Sequence, residues 1–545
     1  AFSNAAQAQT PANFLPATYQ DAQRNNRIAT TFPVAEEMIK KYAEKHHFPG
    51  FAFGIVVDGQ LVFKSSGGYA NLEQKIPASS SSMFRVASMS KSFTALAILQ
   101  LRDNGKLRLD DPVEMYIPAM KGQGLTKDAP VITIRHLMSH SAGFPEDNPW
   151  GDRQLADTEA ELLKLIKEGI SFSNAAGIEY EYSNLGFTIL GYIIHKVSGL
   201  TYDAYIKKNI LVPIGMNETT YEFANVPEKT LANGYRYINN NWRKETLLHD
   251  GIYGAMGGMI TSIDMFSKYV ALHEMAWPER NDAETLPIKR SSLREMHQAS
   301  KFISLMPNYK YPSGRVLAAT DSYTYGLTWI QDALGRKSVG HSGGLPGFGS
   351  NWRFLPEYGI GVILFANVTY APTSGINNAV LDTIVQLAKL KPRVISISPI
   401  LQKRKLQLVS MLPNFSTNAY IFAENFFEDY PIETLKKEAA AILKEAGEII
   451  SVGEMVVENQ MRGYCIIQCQ EKKIKLAFTL TPEKKMNYIE NAIQRDIKFR
   501  NSLKGIIIGM FTISEYKDYI QNSSNMNKRM MNLLIERLKS QIQII

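Results

Sequence analysis

Strand-forming runs sit near both ends of the first 390 residues, and the long stretch between them reads as helix and loop. Residues 51–57 and 60–64 alternate apolar and polar positions around Asp58-Gly59, a dipeptide that favours a tight hairpin. Strand signals return only at residues 323–331 and continue through RKSVGHSGG, NWRFLP and GIGVILFAN. Helices are expected at residues 33–46 and at about 376–390. The pattern predicts one antiparallel sheet built from distant parts of the chain, flanked by helices, with an all-helical region inserted at residues 111–233.

A chain of 545 residues is too long for one ordinary core, so two or three domains are expected. Residues 1–30 read as a polar arm, 31–392 as the main domain, and KPRVISISP as the linker into a third region, 393–545. There the helix TLKKEAAAILKEAG precedes three strand-like runs, EMVVENQ, GYCIIQCQ and KIKLAFTL, which together predict a small α+β domain. A terminal helix carries Met526, Met530, Leu534, Leu538 and Ile542 on one stripe, read as core or interface. The fold class is therefore multidomain α+β.

The net charge of +8 suggests nucleic acid until it is divided along the chain. Residues 1–390 hold 37 Lys+Arg against 36 Asp+Glu, and residues 391–545 hold 23 against 16. No dense basic run with interleaved aromatics accompanies that excess, so no nucleic-acid partner is expected. Cys465 and Cys469 lie four apart in a strand, about 13 Å between Cα atoms, which is beyond disulfide reach. They read as two small core residues on one face. No apolar run is long enough to span a bilayer. The opening AFSNAAQAQTP looks like what remains after signal-peptide removal, so a periplasmic or secreted protein is expected.

Chemistry is concentrated in three short motifs. In FRVASMSKSFTALAIL, Ser88 and Lys91 stand one helical turn apart, so the amine reaches the hydroxyl on one face. A lysine in an apolar site loses its proton readily and can then activate a serine, while the helix N-terminus aims N–H groups at an oxyanion. In YSN, Tyr182 is a candidate proton carrier, its hydroxyl pushed toward phenolate by a nearby lysine; Asn184 can accept from that lysine and donate to a substrate carbonyl. In His341-Ser342-Gly343-Gly344, the glycines let a substrate lie against a strand edge, and the Gly344 N–H can pair with that of Ser88 as an oxyanion donor. Each motif alone is cheap: Ser-x-x-Lys recurs at Ser514, and Tyr-x-Asn at Tyr69 and Tyr237.

Two other patterns carry less. Residues 340–344 fit Gly-x-Ser-x-Gly, but no helix opens after them and no histidine follows His341, as a nucleophile elbow requires. His136 and His140 could share a helix face as zinc ligands, but the glutamate of His-Glu-x-x-His is absent.

With Ser88/Lys91, Tyr182/Asn184 and His341/Gly343 in this order, residues 35–390 resemble the serine β-lactamase and penicillin-binding-protein superfamily, in the branch of class C β-lactamases, D-aminopeptidases and related esterases. LDDPVEMYIP, IRHLMSHSAGF, GAMGGMITSIDMFSKY and YGLTW look like the same branch. The last 155 residues look at most like a cystatin-like or NTF2-like domain. The resemblance implies a β-lactamase/transpeptidase-like fold without cofactor or metal, acting on a small-molecule or peptide acyl substrate. Ser88 would be acylated, Lys91 and Tyr182 would move its proton, Asn184 and His341 would contact substrate, and the Ser88 and Gly344 N–H groups would form the oxyanion hole. Class C enzymes carry Lys where this chain has His341, and a mostly neutral imidazole holds a carboxylate less firmly. The expected activity is therefore esterase or D-aminopeptidase/penicillin-binding-like peptidase. A class C-type β-lactamase is the alternative, and a non-catalytic scaffold retaining the fold is the alternative of another class.

Overall fold

The early apolar run becomes β1 (Gly50–Val57), buried at every position. It leads into β2 (Gln60–Asn71) through Asp58 and Gly59, both at positive φ (49° and 79°), the geometry that makes Asp-Gly a hairpin dipeptide. The computed structural model describes residues 14–311, 314–412, 421–423 and 426–481. Its chain divides into two compact units, with breaks after Ala17 and after Arg393.

In the larger unit the other strands of the main sheet are β3 (Ile76–Pro77), β4 (Lys301–Lys310), β5 (Val316–Tyr323), β6 (Thr328–Asp332), β7 (Lys337–Leu345), β8 (Phe348–Leu355) and β9 (Ile360–Ala366). They form one nine-stranded sheet in the order β3-β2-β1-β9-β8-β7-β6-β5-β4. The two ends of the unit meet where β1 pairs antiparallel with β9, from Phe51 opposite Ala366 to Val57 opposite Ile360.

Helices cover both faces of the sheet. They include α1 (Phe32–Lys45), α2 (Ser90–Asp103), α3 (Asn184–Ser198), α4 (Ile263–Glu274) and α5 (Thr373–Leu387). Strand side chains alternate between faces, and β1 shows it. Phe51, Phe53, Ile55 and Val57 pack with Ile39 of α1 and Val380 and Ile384 of α5. Ala52 and Val56 belong instead to the core that holds Phe93 and Leu96 of α2 and Phe266 of α4. Among the described residues, the inserted region, 111–233, is helix and loop without a strand of its own, as its sequence suggests, and a hairpin of Tyr235–Ile238 with Asn241–Lys244 follows it.

Two expectations are corrected. Residues 18–30 are no free arm: Ile28 is buried in the α1 side of the core, and buried Arg24 pairs with Asp58 at 2.7 Å. The sheet also extends beyond the expected strands to β4 and β5. β4 lies at the sheet edge, is half exposed, and carries Pro307 inside a register shift between Met306 and Tyr309, features that hide a strand from pattern reading.

In the smaller unit α6 (Ile432–Ala446) precedes β10 (Ile449–Val452), β11 (Val456–Asn459), β12 (Arg462–Cys469) and β13 (Lys473–Thr479). β12 pairs with β13 along one edge and with β10 and β11 along the other. Cys465, Ile467 and Cys469 are buried at every second position, which places both free thiols on the inner face. The Met526–Ile542 stripe lies outside the described residues. No helix among the described residues is long and apolar enough to cross a membrane.

Candidate active site

Ser88 lies in a tight turn, Ala87–Met89, that runs directly into α2. Ala87 holds φ at +52°, a left-handed conformation that costs energy for a residue with a Cβ. The turn is fixed by its surroundings. Ser350 on β8 donates to the Val86 carbonyl at 2.7 Å, Ser90 donates to the Ala87 carbonyl at 2.7 Å, and the Met259 N–H donates to Ser90 Oγ at 3.1 Å. β7 closes against this turn so tightly that a Cβ on Gly343 would lie 2.1 Å from the Val86 carbonyl oxygen. Only glycine permits that approach.

Lys91 is fully buried, and its Nζ lies 2.9 Å from Ser88 Oγ, 2.7 Å from Asn184 Oδ1 and 2.9 Å from the Met256 carbonyl. Burial lowers its pKa from 10.5 to about 7, against the opposing pull of Asp152 and Asp147. The contacts suit the neutral amine. It has two N–H donors for the two oxygens that can only accept, and a lone pair left for the Ser88 hydroxyl.

Tyr182 also hydrogen-bonds Ser88, but burial pushes its pKa well above 10. The lysine nitrogen lies 4.9 Å from the centre of its ring. Desolvation outweighs every other influence on the hydroxyl, so the expected phenolate is replaced by a neutral phenol. Asn184 is the first residue of α3, whose N-cap is Ser183. Its Oδ1 accepts from Lys91 as expected. Its Nδ2 donates to Asn148 Oδ1 at 2.6 Å and faces Asp152 Oδ1 at 3.5 Å, so both amide protons meet protein acceptors rather than open cleft.

Asp147 was not singled out from sequence, and His140 was considered there only as a partner of His136. Asp147 takes the Asn184 and Leu185 N–H groups, at 2.7 and 2.8 Å, and so anchors the start of α3. His140 brackets Tyr182: its carbonyl accepts from the Glu181 N–H at 2.8 Å, and its Nδ1 from the Ser183 N–H at 3.1 Å. His140 lies beyond the end of the Ile134–Met138 helix, and the His136 ring accepts from the Thr133 N–H at 3.2 Å, so the two histidines share no helix face.

His341 departs most from expectation. It is 2 % exposed, and burial lowers its pKa to about 3. Nδ1 donates to the Ser342 carbonyl at 2.5 Å, and Nε2 accepts from the Tyr323 hydroxyl at 2.9 Å. Both nitrogens are thus spent on the protein, and the ring cannot hold a substrate carboxylate as a cation would. Beyond Gly340 the β6 partner of β7 has ended, which leaves residues 341–345 paired only with β8 and open on the other edge. An open groove of about 450 Å³ lies beside this segment, lined by Ser342, Gly343 and Gly344 together with Tyr42 and residues 370–375.

Ser88, Lys91, Tyr182, Asn184 and Gly343 therefore gather around one turn, Gly344 follows on the same strand, and His341 stands behind. The Beta-lactamase family model matches residues 35–386, and the chain belongs to the beta-lactamase family, whose members are serine hydrolases. It is 29 % identical to Penicillin-binding protein 4* of Bacillus subtilis over 335 residues, 57 % of this chain and 66 % of that protein. It is 32 % identical to Protein flp of Staphylococcus aureus over 210 residues, 37 % of this chain and 40 % of that protein. The chain thus matches less than two thirds of the length of either relative. Among solved structures, the octameric penicillin-binding protein homologue from Pyrococcus abyssi shares the fold with a TM-score of 0.54 at 24 % identity, over 82 % of this chain and 90 % of that one. A penicillin binding protein from Bacillus halodurans aligns with a TM-score of 0.50 at 25 % identity, over 64 % of this chain and 98 % of that one.

Proposed function

We propose that this chain cleaves ester or amide bonds through an acyl-enzyme on Ser88, as an esterase or a penicillin-binding-like peptidase. The observation that carries the reading is the 2.9 Å contact between Ser88 Oγ and a buried amine whose pKa lies at about 7. Ser88 Oγ attacks the substrate carbonyl while its proton passes to Lys91. The oxyanion sits between the Ser88 and Gly344 N–H groups. Tyr182, neutral at rest, gives its proton to the leaving group and recovers one from Lys91; water then repeats the sequence to release the acid. Asn184 orients Lys91, and Asp147 and Asn148 orient Asn184. The neutral, fully engaged His341 favours ester and amide substrates without a carboxylate at that position over penicillins. An exported location belongs to the same proposal, supported by the likeness to penicillin-binding proteins, and cell fractionation tests it.

Mass spectrometry after incubation with a fluorophosphonate or a penicillin tests the assignment. An adduct on Ser88, absent in Ser88→Ala, is expected. A folded chain that takes up no acylating probe would instead be a scaffold of the same fold. A panel of short esters, D-amino-acid amides and nitrocefin ranks the substrates.

A further inference from the structure

Tyr370 is a half-exposed aromatic at the groove, and its backbone adopts φ +53°. Its ring occupies the space that a side chain on residue 344 would need: a Cβ on Gly344 would lie 2.8 Å from Tyr370 Cδ1. Its hydroxyl donates at 3.0 Å to Asp152 Oδ2, a carboxylate 2 % exposed, whose other oxygen faces the Asn184 amide. Asp152 comes from a turn of the helical insertion, Gly151–Arg153, whereas Tyr370 follows β9, so the hydrogen bond joins the two halves of the unit. Tyr370 is at the same time one wall of the 450 Å³ groove, and none of Ser88, Lys91, Tyr182 and Asn184 lines that groove.

We propose that Tyr370 is a specificity gate: latched to Asp152 and lying over Gly344, it separates the nucleophile from the groove and disfavours substrates that extend past Gly344. The inference rests on the acyl-enzyme reading of the same site. The groove wall combines strand backbone and the hydroxyls of Ser342, Thr373 and Ser374 with the apolar surfaces of Ala371, Pro372 and the Tyr42 ring, so the chain it would admit is extended and need not be apolar.

The test compares the rate at which Ser88 is labelled by a fluorophosphonate bearing only ethyl groups and by one carrying a long ethylene-glycol chain, read by mass in the full-length protein. In Tyr370→Ala, the long-to-short rate ratio should rise about tenfold, the scale of a steric pocket difference. Tyr370→Phe keeps the ring but loses the latch, and its ratio should fall between wild type and Tyr370→Ala. A wild-type ratio in Tyr370→Ala, or in Tyr370→Phe should the alanine variant not fold, overturns the gate. A wild-type chain labelled by neither probe overturns the acyl-enzyme reading itself, which tells the two failures apart.

Discussion

Replacing Lys91 by Met removes the amine but keeps an unbranched side chain in the same cavity, and its effect on stability follows from the pKa. The amine lies at about 7 in the folded chain and at its ordinary 10.5 once unfolded. Folding therefore expels a proton between these values, the unfolded chain binds more protons, and wild-type stability rises with pH across that window. Lys91→Met has no such term. Wild type should gain about 2 kcal/mol on the variant between pH 7 and pH 9, from a slope approaching about 1.4 kcal/mol per pH unit. Unbonding Asn184 Oδ1 and the Met256 carbonyl shifts the whole difference but not its pH dependence. Urea unfolding followed by tryptophan fluorescence measures it, because all five tryptophans lie between residues 150 and 352. The ascending limb of kcat/KM in wild type should fall at the same pKa, near 7. Parallel stabilities at the two pH values would mean that Lys91 does not change protonation on folding, and the base assignment would fail with it.

Tyr182→Phe should lower kcat by about 10²–10⁴ with little change in KM, the loss expected for a proton carrier; steady-state kinetics on a p-nitrophenyl ester reads both. Asp147→Ala frees two N–H groups at the start of α3, and urea unfolding should show a loss of about 1–2 kcal/mol together with a lower kcat. Gly343→Ala forces a methyl group against the Val86 carbonyl and Ser350, so it should abolish Ser88 labelling or soluble expression; full labelling would show that β7 can stand farther off.

The parts of the site readable from sequence are those set by local spacing. Ser88 and Lys91 share a helix, so one turn predicts their contact, and the glycines after His341 mark a strand approached by other backbone. Asp147, Asn148 and Asp152 lie in an irregular segment, FPEDNPWGD, where no periodicity tells which way a side chain points. Three carboxylate or amide side chains within six residues were the only signal there. Titration states were less readable still, because burial depends on the whole fold. The lysine was expected to draw Tyr182 toward phenolate, yet desolvation dominates and keeps it neutral. His341 was expected to be mostly neutral and is driven much further that way. The sheet was visible in its apolar centre, β1 and β9, and not at its edge, where Pro307 and exposed positions break the alternation in β4.

The pairing of residue 51 with residue 366 also bears on how the protein is made. During synthesis GFAFGIVV emerges long before its neighbour exists and must wait with one side unmatched, a sticky template for other chains. Closing so large a loop is slow, and the cleft beside Ser88 lacks a wall until β7 arrives. Competence for catalysis should therefore be among the last properties the nascent unit acquires.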